Sequence, residues 1–287
     1  MTPCPVCGGN SFARLHLFDV PSRYDGKKYP LLRCRGCGLV RPFPLPYSEA
    51  TKYEIYDEGG LTKCYDPKSK TIDFGSAEYS DYFKNFRFYA DYIKKYHISG
   101  RHLDIGCGCG HLMRTSARFG LEPEGIELNP GISKVMVQAG FKVHNTELGD
   151  RFPEGYYDLA TMNHVLEHIE GLDGFLKEVC RVLKPGAYLI MAVPYIDGLM
   201  PRLLRTYWYG HGHGQHLNMF SKKSLEMLLG RNGLLVVEMK TGSMDYAPLG
   251  FPAILRKAID SVCAAIASAG MGDNLVVVAR KGGKFKP

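Results

Sequence analysis

A chain of 287 residues that is 45% hydrophobic and 23% charged has the composition of a globular protein, which excludes wholesale disorder and collagen-like repetition. It is long enough for one large domain with a small accessory or for two modest domains, and it can bury a useful core without disulfide staples. Its 36 basic residues against 29 acidic ones leave a charge of +7. No basic block of the kind that marks a nucleic-acid arm gathers that charge, so it is compatible with a small anionic substrate, with RNA, or merely with solubility. No run approaches the roughly 18 apolar residues that a membrane helix needs. Met1–Pro5 carries neither a basic nor an apolar leader region, so a cytoplasmic location with reduced cysteines is expected.

In chain order, the first signal is a pair of knuckles, Cys4-Pro-Val-Cys7-Gly8 and Cys34-Arg-Gly-Cys37-Gly38. Each C-x2-C points two thiolates from one tight turn at one ion, and the trailing glycine permits the turn's positive φ. Together Cys4, Cys7, Cys34 and Cys37 predict a closed tetrahedral site for structural Zn²⁺. The 26 residues between the knuckles supply ribbon strands, expected over Ser11 to Phe18 and Tyr29 to Arg33. Arg41-Pro42-Phe43-Pro44-Leu45-Pro46 reads as a stiff linker that ends this unit, giving a zinc ribbon with linker over residues 1–46. Residues 47–98 read as a helical extension, ambiguous from Tyr47 to Tyr65. A helix is predicted from Glu78 to Tyr96, where an aromatic stripe recurs every three or four residues and reads as core packing. The cysteines Cys64, Cys107, Cys109, Cys180 and Cys263 read as small apolar fillers.

From residue 99, strands and helices alternate as in a doubly wound α/β sheet. Strands are expected over His102 to Ile105, Glu124 to Glu127, Lys142 to Asn145, Leu159 to Asn163 and Tyr188 to Val193. Helices are expected over His111 to Phe119, Gly131 to Ala139 and Leu172 to Leu183. Asn129-Pro130 supplies an N-cap and an N1 proline. Lys184-Pro185-Gly186 is expected to turn into the next strand. Two apolar β-rich runs, Leu234 to Lys240 and Asn274 to Lys281, follow.

The chemistry starts where the first of these strands ends. Asp104 closes it, and Gly106, Gly108 and Gly110 let the backbone pass close under a ligand at the start of the next helix. Glu127 ends the second strand, where a carboxylate can accept both hydroxyls of a ribose. Position 111 is histidine, so the dinucleotide pattern G-x-G-x-x-G is broken. No Walker-type lysine follows either, so the loop matches neither a dinucleotide nor a nucleoside triphosphate.

Asp104 to Gly110, Gly125-Ile-Glu127, Tyr157 to His168 and Leu183 to Ile190 resemble, in order, the motifs of class I S-adenosylmethionine-dependent methyltransferases. The resemblance covers about residues 100 to 195. It implies a Rossmann-like fold with a mostly parallel seven-stranded sheet over residues 99–287, with a helical insertion at about 246–270. It implies that Gly106, Gly108 and Gly110 flank the methionine and ribose, with Glu127 on the ribose diol and Leu128 beside it. Asn145 and Thr146 fall where such enzymes read the adenine edge, although the usual Asp is absent. Asn163 falls at the methyl-transfer centre.

Methyl transfer is an in-line displacement that needs alignment and, for a hydroxyl acceptor, removal of a proton. Two histidine groups stand out. His164 and His168 would share one face of a helix with Glu167 nearby, a metal-like set. Their likeness to the family's common helix start favours a structural role over a metal. His211-Gly-His213-Gly-Gln-His216 lies in a glycine-rich loop, and His216-Leu-Asn-Met-Phe-Ser resembles a stretch of many small-molecule methyltransferases. His213 and His216 are therefore the expected base or substrate contacts, with His164 beside them. Tyr195, Arg202, Arg205, Tyr207 and Trp208 are expected near an anionic or sugar-like acceptor.

Sugar C-methyltransferases resemble this chain in their N-terminal Cys4 domain but carry a long C-terminal domain that is not matched here. The expected activity is methylation, favouring oxygen, of a small hydroxyl-bearing acceptor such as a sugar or nucleotide sugar. The alternatives are a zinc-finger RNA base methyltransferase and a non-catalytic binding module of the same fold.

Overall fold

The computed structural model describes residues 2–15, 19–22, 25–47, 65–66, 68–76, 79–80, 83–243 and 253–282. Most of the ambiguous stretch from Tyr47 to Tyr65, Cys64 among it, lies outside them. So do Tyr82, parts of the predicted 78–96 helix and the start of the predicted 246–270 insertion. Among the described residues no helix is long and apolar enough to cross a membrane.

The N-terminal unit is a ribbon. Strands β1 (Phe12–Arg14), β4 (Leu31–Cys34) and β5 (Val40–Pro42) form an antiparallel sheet in the order β1-β4-β5. Strands β2 (Val20–Pro21) and β3 (Lys28–Tyr29) form a hairpin between β1 and β4. The expected linker thus begins as a strand. Pro42 is tolerated because it sits at the end of a sheet-edge strand, facing Leu31. A second hairpin, β6 (Tyr65–Asp66) with β7 (Thr71–Ile72), precedes a 3-10 turn (Phe83–Phe86) and helix α1 (Arg87–Lys95).

The main body alternates β8 (Arg101–Ile105), α2 (His111–Ala117), β9 (Glu122–Ile126), α3 (Pro130–Gln138), β10 (Val143–His144), β11 (Tyr157–Asn163), α4 (Leu172–Val182) and β12 (Leu183–Pro194). Helices α5 (Leu199–Leu204) and α6 (Lys222–Arg231), strand β13 (Leu234–Gly242), helix α7 (Ala253–Ser268) and strand β14 (Asn274–Lys281) complete it. The sheet order is β10-β9-β8-β11-β12-β14-β13. It is parallel except for β14, which runs antiparallel to both neighbours. This is the Rossmann-like methyltransferase fold.

Local chemistry explains the element boundaries. Asn129 accepts a hydrogen bond from the Ile132 amide and Pro130 fills the first turn of α3. Ser221 caps α6 in a reciprocal bond pair with Ser224. The expected turn at Lys184-Pro185-Gly186 is instead absorbed into the start of β12, with an irregularity in its pairing to β11 between Tyr157 and Leu159. Gly186, at φ 79°, lets the chain bend there without leaving the sheet.

Two apolar layers cover the sheet. On one face, Phe86, Tyr89, Tyr92 and Ile93 pack with Leu112, Leu159, Ile190 and Val278. On the other, Leu172, Leu176 and Val179 pack with Leu225, Leu228 and Met191. That second layer also contains Cys4, Val6, Cys34, Cys37 and Leu39 of the ribbon. Ribbon residues Val20, Leu31 and Val40 share a further cluster with Trp208 and Met219. The ribbon is therefore part of the main core, not a module on a tether.

Candidate functional site

The switch point of this sheet, where the order reverses, lies between β8 and β11. Open α/β sheets bind ligands at the carboxyl ends of their strands at such a point. Asp104, Glu127, Asn145 and Asn163 all lie at carboxyl ends, of β8, β9, β10 and β11.

The glycine loop needs its glycines for two reasons. Gly106, Gly108 and Gly110 have φ of 73°, 49° and 76°, which side chains disfavour. A Cβ on Gly106 would meet Val165 Cγ2 at 2.6 Å, and one on Gly110 would meet Met136 Cε at 2.3 Å. Glu127 clamps the loop from β9. Its carboxylate accepts from the Gly108 amide at 2.9 Å and from the Asn129 amide at 2.8 Å. Burial raises its pKa, against the pull of these amides. Each carboxylate oxygen keeps a further lone pair, so the clamp leaves acceptors for a ligand. Asn145 is half committed, because its amide donates to the Glu127 and Leu128 carbonyls at 2.8 and 2.9 Å. It orders the loop after β9, with only its oxygen left over.

Asp104 is buried. Thr161 donates to its Oδ1 at 2.6 Å, while Oδ2 has no hydrogen-bond partner among the described residues. Burial pushes its pKa up to about 7. A carboxyl raised this way favours folding in its protonated form, so the stabilisation is full below the ordinary value near 4 and is lost as pH rises to 7. Stability in urea should fall across that window by an amount on the order of 4 kcal/mol. Asp104→Asn should flatten the profile between pH 4 and 7. An unchanged slope in the variant would show that Asp104 does not set it.

The loop cysteines differ from expectation. Cys107 is a buried free thiol whose pKa burial raises further, so it is an inert filler as expected. Cys109 is disulfide-bonded, which corrects its reading as a free thiol. The N-terminal aromatic stripe, read as core packing with some tyrosines able to edge a ligand pocket, does both. Tyr79 donates to the Cys109 carbonyl at 3.0 Å and stacks on His111. Tyr89 donates to the Met162 carbonyl at 3.1 Å and to Asn163 Oδ1 at 3.3 Å. The predicted stripe is core, but its hydroxyls reach the loop and the end of β11.

The histidines fall into a different arrangement from the one predicted. His164 has a φ of 56° and stands before a 3-10 turn, Leu166–His168. The helix that would have placed His164 and His168 on one face does not form there. Instead Glu167, fully buried, accepts from His164 Nδ1 at 3.0 Å. His216 Nε2 lies 3.9 Å from the same oxygen. His168 and His216 meet edge to face with centroids 4.7 Å apart.

The loop carrying His216 is folded. Tyr209–Gly214 is a 3-10 stretch, and His211 and His216 are buried. Gly212 is needed because a Cβ there would meet His216 Cδ2 at 2.5 Å. Burial, and then His168, push the His216 pKa down to about 3. This weighs against the expected role of His216 as a base near neutral pH. The His213 side chain lies outside the described residues. Burial of Glu167 opposes its ionisation, but the His164 hydrogen bond and the neighbouring rings outweigh it and hold its pKa at about 2. With His216 neutral at pH 7, the His164 bond carries most of that effect.

The residues expected near an acceptor are dispersed. Trp208 is buried and donates to Asp273 at 3.2 Å, whereas Tyr207 is 90% exposed. Tyr195 faces a cavity of about 500 Å³ at the seam with the ribbon, together with Arg33, Arg35, Asp197, Lys222 and Lys223.

In the ribbon, the four cysteines converge as predicted, with sulfur atoms all within 4.8 Å of one another. Cys4 and Cys37 are 3.5 Å apart, and Cys7 and Cys34 are 3.4 Å apart. Four thiolates at Zn–S bonds of about 2.3 Å would sit roughly 3.8 Å apart, so the set fits a tetrahedral ion with little movement. Gly8 and Gly38 take the expected positive φ, 69° and 83°.

A glycine loop clamped by a carboxylate at the switch point of a seven-stranded sheet defines a Rossmann-like methyltransferase. The methyltransferase-domain family model matches residues 77–239, more than half of the chain. The chain belongs to that family. It is 32% identical over 100 residues to a ubiquinone biosynthesis O-methyltransferase of Xanthomonas oryzae pv. oryzae, covering 32% of this chain and 42% of that protein. It is 33% identical over 101 residues to a sterol 4-C-methyltransferase of Caenorhabditis elegans, covering 31% of this chain and 29% of that one. The chain thus spans under half the length of either relative. Among solved structures, geranyl diphosphate C-methyltransferase of Streptomyces coelicolor A3(2) has a TM-score of 0.53 at 15% identity, covering 82% of this chain and 100% of that one. That likeness is one of fold.

Proposed function

We propose that the chain transfers a methyl group from S-adenosylmethionine to a small hydroxyl-bearing acceptor, sugar-derived or anionic, with a structural zinc held by Cys4, Cys7, Cys34 and Cys37. One observation carries the reading: the Gly106–Gly110 loop, held by Glu127, lies beside a buried Asp104 oxygen that lacks a partner among the described residues. The ammonium of the cofactor's methionine would satisfy that oxygen, and its ribose hydroxyls would donate to Glu127. Leu128, Asn145 and Thr146 border the adenine, and Asn163, held by Tyr89, borders the sulfonium. The cofactor supplies the electrophilic methyl group. The chain's own residues orient it, exclude water and place the acceptor on the His164 and His216 side.

The recess that holds Arg33, Arg35, Lys222 and Lys223, with Asp197 pairing Arg33, is net basic and favours an acceptor bearing phosphate or carboxylate. The same chemistry keeps RNA as the second reading. Zinc-loaded protein with labelled cofactor should methylate a member of a panel of nucleotide sugars, phenols and RNAs. Transfer confined to RNA, with binding that weakens steeply with salt, would replace the small-molecule reading. Absence of cofactor binding by calorimetry would leave the fold as a non-catalytic module.

A further inference from the structure

The cluster around Glu167 holds more than the proposed transfer needs. Three potential ligand atoms, one each from Glu167, His168 and His216, lie within 4.8 Å of one another. Both rings are oriented by the backbone. His168 Nδ1 is 3.1 Å from the Gln215 carbonyl and His216 Nδ1 is 2.7 Å from the Gly210 carbonyl. A carbonyl only accepts, so each Nδ1 must carry the hydrogen, and in the neutral ring the lone pair falls on Nε2. Histidines that bind metals are typically held this way, with the second nitrogen donating to a carbonyl or carboxylate.

The carboxylate is arranged to match. Glu167 Oε1 accepts from His164, but Oε2 is fully buried and has no hydrogen-bond partner among the described residues. The two ring lone pairs therefore meet the Glu167 carboxylate, whose Oε1 lies 3.9 Å from His216 Nε2 and whose Oε2 has no hydrogen-bond partner among the described residues, so acceptors gather there in a buried corner. Such a corner is costly unless a cation fills it. The segment is also fixed in advance, because the Leu217 and Asn218 amides both donate to the Glu167 carbonyl, at 2.8 and 3.0 Å. The Asn218 side chain donates to the Ile169 carbonyl at 2.7 Å.

We propose that Glu167, His168 and His216 bind a divalent transition-metal ion, distinct from the ribbon's zinc, whose remaining coordination positions take the acceptor's hydroxyl oxygen. The donor set determines the class of ion. Two imidazoles and one carboxylate suit zinc, iron or manganese, whereas Mg²⁺ prefers an all-oxygen shell. Three protein ligands leave positions open, in contrast to the closed Cys4 site. The acceptor's role rests on the methyl-transfer reading, but the binding of the ion does not.

Mn²⁺ is a suitable probe, because it is visible by electron paramagnetic resonance and competes poorly for a Cys4 site. Zinc-loaded full-length protein should bind one Mn²⁺ saturably, undisplaced by equimolar Mg²⁺. His168→Ala and His216→Ala should each weaken binding by about tenfold or more. Because Glu167 is buried, Glu167→Gln is the shape-preserving check, and circular dichroism of each variant establishes that it is folded. Absence of saturable binding, or affinity unchanged in both histidine variants, overturns the site. Mn²⁺ binding with transfer that persists undiminished after a chelator strips the ion overturns the acceptor's role. Mn²⁺ binding without transfer to any acceptor leaves the site standing and removes the methyltransferase reading instead.

Discussion

Replacing Glu127 with alanine is expected to lower the affinity for S-adenosylhomocysteine by about a hundredfold or more. Glu127 accepts two charge-assisted bonds that fix the cofactor-side backbone, at 2.9 Å from Gly108 of the glycine loop and at 2.8 Å from Asn129 of the loop after β9. Bonds to a charged group contribute roughly 1.5–3 kcal/mol each, and two of them exceed the approximately 2.8 kcal/mol that separates a hundredfold change. The ribose loses its acceptor in the same step. Glu127→Gln should fall between, since its amide oxygen still accepts from one loop amide while its nitrogen faces the other donor. Calorimetric titration measures both. An alanine variant within threefold of the parent would remove Glu127 from the cofactor site.

The second large effect is in the ribbon. On the proposed zinc site, Cys34→Ser is expected to lower the melting temperature of the whole chain by about 6–12 °C, because loss of one of the four proposed ligands would cost several kcal/mol and each kcal/mol shifts a domain of this size by about 2–4 °C. The effect should be global because Cys34, Cys37 and Leu39 belong to the same apolar layer as Leu176 and Leu225. Polar ties run the same way. Ser221 donates to the Cys37 carbonyl at 2.9 Å and Lys223 to the Gly36 carbonyl at 2.7 Å. Arg231 donates to the Pro5 and Val6 carbonyls, and Arg33 pairs with Asp197 at 2.6 Å. Calorimetry together with zinc content tests this, with Cys180→Ser, a free and half-buried thiol away from the cluster, as the control. If Cys34→Ser removed only a small separate transition, the ribbon would be an independent unit.

What the sequence revealed and what it hid divide along physical lines. The glycine loop was legible because positive φ at Gly106, Gly108 and Gly110 leaves a residue-level signature, and Asn129-Pro130 marked its helix by the chemistry of capping. The paired knuckles announced four converging sulfurs. The histidine cluster was only half legible. His164 and His168 were read on a helical period, but a single backbone angle at His164 breaks that period, and His216 comes from 48 residues further on. The union of ribbon and main body left no local sign, because its contacts pair residues far apart in the chain and most of its polar ties end on backbone carbonyls that any sequence carries. Val40 and Met219, for instance, exchange amide bonds at 3.0 and 2.9 Å.

The position of β14 bears on how the protein is made. It lies between β12 and β13 in the sheet, pairing with both, although it follows both in the chain. During synthesis β12 and β13 therefore leave the ribosome without the strand that separates them, their open edges lined by Val193, Ile190 and Val236. Long-range pairing of this kind folds slowly and exposes edges prone to aggregation. A nascent chain that reaches no further than Asn274 therefore leaves β12 and β13 unpaired on the sides that β14 joins, and the sheet takes its native order only when β14 inserts between them.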